Sequence, residues 1–232
     1  MEFTVIGTGS TGNCYMLKHD NDTLLLDAGV SMDKIYQALD FNVSRVDAVL
    51  CSHGHQDHIK SVDKLLKAYI PVVMSEETQK DLNITSPMLI TKNNVTLGNW
   101  KIQCFKLEHD SDNTGFLVLH KPTGLKICYI TDTGFVKVNP VGVNVLITEC
   151  NYIEELLGES DNAEIRERVR TSHMSLGRLV SYLEKIDTTQ LRQLILVHLS
   201  DHNSDENIIL DTLKDKLDCK ILIPKAKEVI KL

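Results

Sequence analysis

Ser52-His53-Gly54-His55-Gln56-Asp57-His58 places three histidines and an aspartate within six residues. The apolar run Val46–Cys51 leads into it, and Ile59, Val62, Leu65, Leu66 and Tyr69 follow at helical spacing. The segment therefore reads as the junction between a buried strand and a helix. Neutral imidazole nitrogen and carboxylate oxygen are good ligands for zinc and similar divalent ions. In an extended turn, side chains two apart point the same way, so His53 and His55 can share one ion. Asp57 and His58 lie where the chain turns into the helix and can face a second ion. The plainer alternative is a polar loop with surface histidines, and four donors at this spacing argue against it.

Further donors recur at matching places. His109 follows the strand Lys101–Leu107 and opens the polar loop Glu108-His109-Asp110-Ser111-Asp112. Asp132 follows Lys126–Thr131, and His198 ends the apolar run Leu194–Val197. A sheet delivers side chains at its strand ends to one rim. Each residue alone reads as a cap or surface group; beside the 52–58 segment, each reads as a ligand. Asp27, after Leu24-Leu25-Leu26, reads instead as a buried acceptor bracing neighbouring loops. Gly7-Thr8-Gly9-Ser10-Thr11-Gly12-Asn13 lacks the lysine of a phosphate-binding P-loop and reads as a tight turn between strands.

Working outward, strands are expected at Glu2–Ile6, Tyr15–Lys18, Thr23–Asp27, Val46–Cys51 and Pro71–Met74. A helix capped by Ser31 and a short helix near Glu76–Leu82 complete a first block. A second block carries strands at Met88–Ile90, Val95–Leu97, Lys101–Leu107, Phe116–His120, Lys126–Thr131, Val145–Thr148 and Gln193–His198. Its helices fall near Ser175–Lys185 and Asp205–Leu217, with a final strand at Lys220–Ile223. Two β-rich halves closed by helices predict an α/β protein, an αβ/βα four-layer sandwich, in a single domain over 1–232.

The 232 residues are 42% apolar and 25% charged, ordinary for a soluble globular chain and ample for a large core. No basic region followed by an apolar run opens the sequence, and no apolar stretch approaches the ~18 residues a membrane span needs. Six scattered cysteines with no C-x-x-C pair read as free thiols in a reducing compartment, so a cytoplasmic location and no membrane partner are expected. The formal net charge of −7 disfavours broad, sequence-independent coating of nucleic acid. Arg166, Arg168, Arg170, Arg178 and Arg192 nevertheless lie in one stretch. It reads as a solvated helical face interleaved with Glu164, Glu167 and Glu184, or as a local phosphate-facing surface.

The H-x-H-x-D-H motif, preceded by Leu-Leu-Leu-Asp-Ala-Gly and followed by His109, Asp132 and His198, resembles the metallo-β-lactamase superfamily along nearly the whole chain. Gly9–Cys14, His58-Ile59-Lys60, Glu149-Cys150-Asn151, Ser172-His173-Met174-Ser175 and His198-Leu199-Ser200 resemble more narrowly its bacterial YycJ/WalJ-type branch. Members of that branch are regarded as DNA exonucleases related to ribonucleases Z and J. Two positions depart from its pattern: Tyr152 follows Asn151 where histidine is usual, and Ser172 stands where glycine usually precedes the histidine.

The resemblance implies two divalent metal ions, Zn or Mn. His53, His55 and His109 would hold the first; Asp57, His58 and His198 the second; Asp132 would bridge them. Ions ~3.5–4 Å apart share a water and lower its pKa, supplying hydroxide to a scissile phosphorus, with Asp57 orienting it. His173 falls where related nucleases place a phosphate-contacting histidine. The alternative is a helix N-terminal histidine behind a Ser172 cap. The implied activity is a phosphodiesterase, a nuclease of exonuclease type acting on DNA or RNA. A phosphodiesterase for small or cyclic nucleotides is the second reading, a thiolester or lactam hydrolase the third, and a metal-stabilised binding module the last. The expected partner is a nucleic-acid or nucleotide phosphodiester, and a homodimer is compatible with a hydrolase of this size.

Overall fold

The computed structural model describes residues 1–158 and 163–232. One sheet carries β1 (Glu2–Gly7), β2 (Cys14–His19), β3 (Asp22–Leu26), β4 (Ala48–Leu50), β5 (Val72–Val73) and β6 (Leu89–Ile90). A second carries β7 (Asn94–Leu97), β8 (Trp100–Leu107), β9 (Asn113–His120), β10 (Leu125–Ile130), β11 (Val145–Glu149), β12 (Gln193–Val197) and β13 (Lys220–Leu222). A last strand, β14 (Val229–Lys231), crosses back to the first sheet and pairs antiparallel with β1, Phe3 opposite Ile230. The orders are β14-β1-β2-β3-β4-β5-β6 and β13-β12-β11-β10-β9-β8-β7. Lys220–Ile223 is thus not the final strand. β14 escapes a sequence reading because it is three residues long, with an exposed–half-buried–exposed pattern and charged neighbours.

The continuous apolar run Leu24-Leu25-Leu26 is explained by burial on both faces of β3. Leu24 and Leu26 enter the core between the sheets with Phe3, Tyr15, Trp100, Phe116 and Ile195. Leu25 points the other way, to a layer containing Ile35 of α1 (Met32–Ala38) and Leu65 and Leu66 of α3 (Val62–Lys67), beyond the one-turn α2 (Gln56–Ile59). Period-two alternation inside an apolar strand is what a sheet sandwiched between layers requires. The second sheet repeats the arrangement. Ile127 and Tyr129 of β10 face inward, whereas Cys128 and Ile130 meet Leu179 and Leu183 of α6 (Leu176–Leu183) and Leu213 of α7 (Glu206–Lys214). Helices, sheet, sheet and helices form the expected αβ/βα sandwich, with α4 (Glu76–Asp81) and α5 (Ala163–Ser172) completing the helical set.

The predicted helix through Ile59–Tyr69 is two pieces, α2 and α3, broken at Lys60–Ser61. Ser61 turns inward there, donating its hydroxyl to the Val30 carbonyl at 2.6 Å. All six cysteines are free thiols, and burial pushes Cys128 and Cys150 up to about 12. Among the described residues, no helix is long and apolar enough to cross a membrane.

Candidate metal centre

β3, β4, β10, β11 and β12 run parallel within their sheets and end on one rim, where Asp27, the 52–58 segment, Asp132, Glu149 and His198 emerge. Asp27, Asp132 and His198 hold φ of +56°, +47° and +54°, a left-handed conformation that non-glycine residues seldom adopt. Such strain costs on the order of 1–3 kcal/mol per residue and persists where the surroundings over-determine it.

His53, His55 and His109 form a first group. His53 Nε2 lies 3.0 Å from His55 Nδ1, which lies 3.3 Å from His109 Nε2. His109 Nδ1 must donate to the Ser172 carbonyl at 2.8 Å, because a carbonyl only accepts, so its Nε2 keeps a lone pair. Ser52 Oγ, 3.0 Å from His53 Nδ1, turns that ring the same way. Three ring nitrogens converging on one point cannot all bond to one another. Their separations match the roughly 3.3 Å edge of a tetrahedron of nitrogens set ~2.0–2.1 Å from zinc. Burial holds the pKa of His53 and of His109 below the usual histidine range, keeping both neutral as ligands must be.

Asp57, His58, Asp132 and His198 form a second group. His58 Nε2 is 3.4 Å from Asp57 Oδ2 and 3.4 Å from Asp132 Oδ1. His198 Nε2 is 3.8 Å from Asp57 Oδ2, and its Nδ1 is 2.8 Å from Asp132 Oδ1. That close Nδ1 is off the line a hydrogen bond needs and is a buried polar atom with no hydrogen-bond partner. The second oxygen of Asp132 turns toward the first group, 4.0 Å from His53 Nε2. Burial alone would lower His58 and His198. The carboxylates around them win, raising His58 well above its usual value and His198 to about 10, while the same imidazoles hold Asp132 well below the carboxylate range. The donors are thus charge-matched and crowded, and a divalent cation would replace the protons they now share.

The glycine-rich segment is the expected turn between strands, β1 and β2, and it also braces the 52–58 segment. Asn13 N donates to the Asp57 carbonyl at 2.7 Å, and Asn13 Nδ2 lies 3.3 Å from Asp57 Oδ2. Gly29 packs directly under the 52–58 segment: a Cβ there would stand 1.6 Å from the Asp57 carbonyl oxygen. Asp27, fully buried, accepts from Ser52 N, Ser52 Oγ, Tyr129 Oη and His58 Nδ1, the buried acceptor that the sequence suggested.

His173 comes to the same rim. It is not a helix N-terminal residue behind a Ser172 cap. Ser172 closes α5, its hydroxyl donating to Arg168 O, and the α6 cap is Ser175, which accepts from Arg178 N. His173 Nδ1 donates to Glu149 Oε2 at 3.0 Å, and Nδ1 is 3.9 Å from Asp132 Oδ2. Glu149 has 0% exposure, accepts from Thr133 N and Met174 N, and completes a third donor group with Asp132, His173 and His198. Burial would raise its pKa, but His173 beside it prevails and lowers it. Sequence reasoning assigned Glu149 no role. The signal was present, since it ends β11 between the strands that deliver Asp132 and His198.

The arginine stretch is not one surface. Arg168 Nε meets Asp110 at 3.0 Å beside His109, Arg170 pairs with Glu154, and the Arg178 guanidinium donates to the carbonyls of Gly134, Arg170 and His173. Arg192 precedes β12, at the end of that strand away from His198. The opening itself is bounded by His55, Asp110, Asp57 and His173, whose side chains are 33%, 32%, 26% and 19% exposed.

A family model described as Metallo-beta-lactamase superfamily matches residues 7–133. The Bacillus anthracis protein named Exodeoxyribonuclease YycJ is 28% identical over 226 residues, covering 89% of this chain and 85% of its own. The Streptococcus pneumoniae protein named Exodeoxyribonuclease WalJ is 25% identical, covering 93% and 88%. The crystal structure of the metallo-beta-lactamase fold protein YhfI from Bacillus subtilis matches with a TM-score of 0.76 at 19% identity, over 99% of this chain and 98% of that one, a likeness of fold.

Proposed function

The chain belongs to the metallo-beta-lactamase superfamily and is a metal-dependent hydrolase, and on that premise we propose that it is a dinuclear phosphodiesterase of exonuclease type acting on a nucleic-acid strand. One observation carries the reading: Asp132 divides its two carboxylate oxygens between a three-histidine group and a group of Asp57, His58 and His198. In this reading His53, His55 and His109 would hold one divalent ion and Asp57, His58 and His198 the other, with Asp132 available to both. Zinc and manganese both suit this donor set. Two such ions, when bound, lower the pKa of a water toward neutrality and neutralise charge on the phosphoryl group.

The chain's own groups supply the rest. Asp57, partly exposed at the opening, orients the attacking water and accepts its proton as oxygen adds to phosphorus. His173, tied through Nδ1 to Glu149, presents Nε2, which makes no hydrogen bond among the described residues. Glu149 raises its pKa against the effect of burial, which favours the imidazolium form. It binds a non-bridging oxygen and, as the bond from phosphorus to the leaving oxygen breaks, gives Nε2–H to that alkoxide. Glu149 acts through His173 as a positioning residue. Residues 1–232 are read as one domain, since the core between the sheets draws side chains from β1 through β12. The free cysteines agree with work in a reducing cytoplasm.

The test is a substrate panel with and without chelator: bis-p-nitrophenyl phosphate, end-labelled single and double strands, and cyclic mononucleotides. Chelator-sensitive, progressive loss of label from one polymer end is the expected result. Turnover of cyclic nucleotides alone would move the assignment to a small-nucleotide phosphodiesterase.

A further inference from the structure

Beside the metal centre, a cleft of about 470 Å³ opens between the glycine-rich turn at 8–11 and the segment 196–207, and His198 forms part of its wall. Its other lining residues take no part in the hydrolysis proposed above. The cleft is locked to the donor groups on the turn side. Thr8 Oγ1 accepts from His198 N at 3.0 Å, and Asn13 Oδ1 accepts from Gly9 N at 2.9 Å while its Nδ2 reaches Asp57. A moiety seated here is therefore held in fixed relation to a phosphate at Asp57 and His198.

The size falls within the roughly 300–1,000 Å³ of small-ligand sites. The wall is polar and partly uncommitted. The hydroxyls of Ser10 and Thr11 and the side-chain amide of Asn207 line the cleft, and their side chains make no hydrogen bond among the described residues. Its charge is lopsided: the three carboxylates of Asp201, Asp205 and Glu206 outnumber its basic groups, the His198 imidazole and the Lys225 ammonium, and Lys225 is already paired with Glu206. Asp205 further spends its carboxylate capping α7, so the helix end is closed to an incoming anion. Hydroxyl and amide groups in a negatively biased pocket suit a neutral, hydrogen-bonding ligand and oppose a phosphate monoester.

Resting on the phosphodiesterase reading above, we propose that this cleft receives the terminal nucleoside of the strand and selects an end with a free hydroxyl over an end with a phosphate. Base and sugar bond to Ser10, Thr11 and Asn207, the linking phosphate lies at the metal centre, and Asp201 repels a terminal phosphate.

The experiment compares metal-loaded enzyme on short oligodeoxynucleotides that differ only in a hydroxyl or a phosphate at the 5′ or the 3′ end. Each rate is divided by the same protein's turnover of bis-p-nitrophenyl phosphate. At the end that is degraded, the hydroxyl form should be consumed about tenfold faster, and Asp201→Lys, at an exposed position, should shrink that ratio to about threefold or less. Ser10→Tyr, which fills the cleft from the exposed turn, should raise KM for the hydroxyl-ended strand about fivefold. Thermal melts establish that both variants fold. Equal rates on the two ends, faster loss of the phosphorylated end, or a ratio untouched by Asp201→Lys overturns the proposal. Turnover of bis-p-nitrophenyl phosphate without degradation of any strand removes the nucleoside subsite and leaves the phosphodiesterase standing. Failure on bis-p-nitrophenyl phosphate as well removes both.

Discussion

Asp27 Oδ2 accepts a 2.8 Å hydrogen bond from His58 Nδ1, and both side chains have 0% exposure. Because the carboxylate can only accept, His58 donates through Nδ1 and aims Nε2 at Asp57 and Asp132. Tyr129 Oη and Ser52 anchor the same carboxylate, so one buried acid sets the direction of the His58 imidazole.

Asp27→Asn should therefore weaken metal binding without dismantling the sandwich. Removal of the charge behind a ligating imidazole lowers affinity by roughly 10–100-fold in comparable sites. The loss should fall on the ion held by His58 and spare the three-histidine group, as read by competition titration against a chromophoric chelator. Unchanged affinity for both ions would show that Asp27 only braces loops.

His173 and Glu149 predict a different pattern. His173→Ala should cut turnover by about two orders of magnitude or more while metal content stays intact, since the imidazole donates to substrate rather than to a metal. Glu149→Gln should lose less and should shift the alkaline limb of the pH–rate profile to lower pH, because the carboxylate that keeps His173 protonated is gone. Full activity in His173→Ala would relegate the histidine to packing.

Gly29→Ala tests how the motif is seated. With its Cβ placed 1.6 Å from the Asp57 carbonyl, backbone must move, at a cost of about 3 kcal/mol or more. Asp57 should be displaced first, so metal occupancy of the second group should fall together with Tm in calorimetry. A variant with native Tm and native metal content would contradict the packing described.

Much of this was legible in the residues because the constraint is local. His53, His55, Asp57 and His58 are four donors on one strand-to-helix turn, and His109, Asp132 and His198 obey one rule, a donor at the end of an apolar strand. Glu149 obeys the same rule and went unassigned, because its contacts with His173 and Met174 depend on how α5 leads into α6. The Ser172 cap failed for a related reason: serine is a good cap and also a tolerable last residue of a helix, and only the backbone separates the two. β14 carries no periodic signal across three residues. Its place is decided by the open edge of β1, over two hundred positions away in sequence.

The metal-free protein should show a pH-dependent stability of predictable sign. His58 and His198 have raised pKa values in the fold, so their contribution is complete below the unfolded histidine value of about 6.5. It is lost as pH rises from there toward about 10, where His198 releases its proton. Asp132, depressed in the fold, acts at the other end: its contribution is present above about pH 4 and is lost on acidification. Chelator-treated protein should therefore melt at lower temperature at pH 9 than at about pH 6.5, and added zinc or manganese should reverse the trend, since a cation replaces those protons. A flat profile between these pH values would mean that the imidazoles do not carry the charge assigned to them.

Elemental analysis is the most direct test of the two-ion claim. Protein stripped by chelator, reloaded with zinc or manganese and freed of excess ion should hold two ions per chain. His55→Ala and His58→Ala should each reduce that by about one, at different groups. A wild-type chain that retains no stoichiometric metal under these conditions would contradict the account at its base.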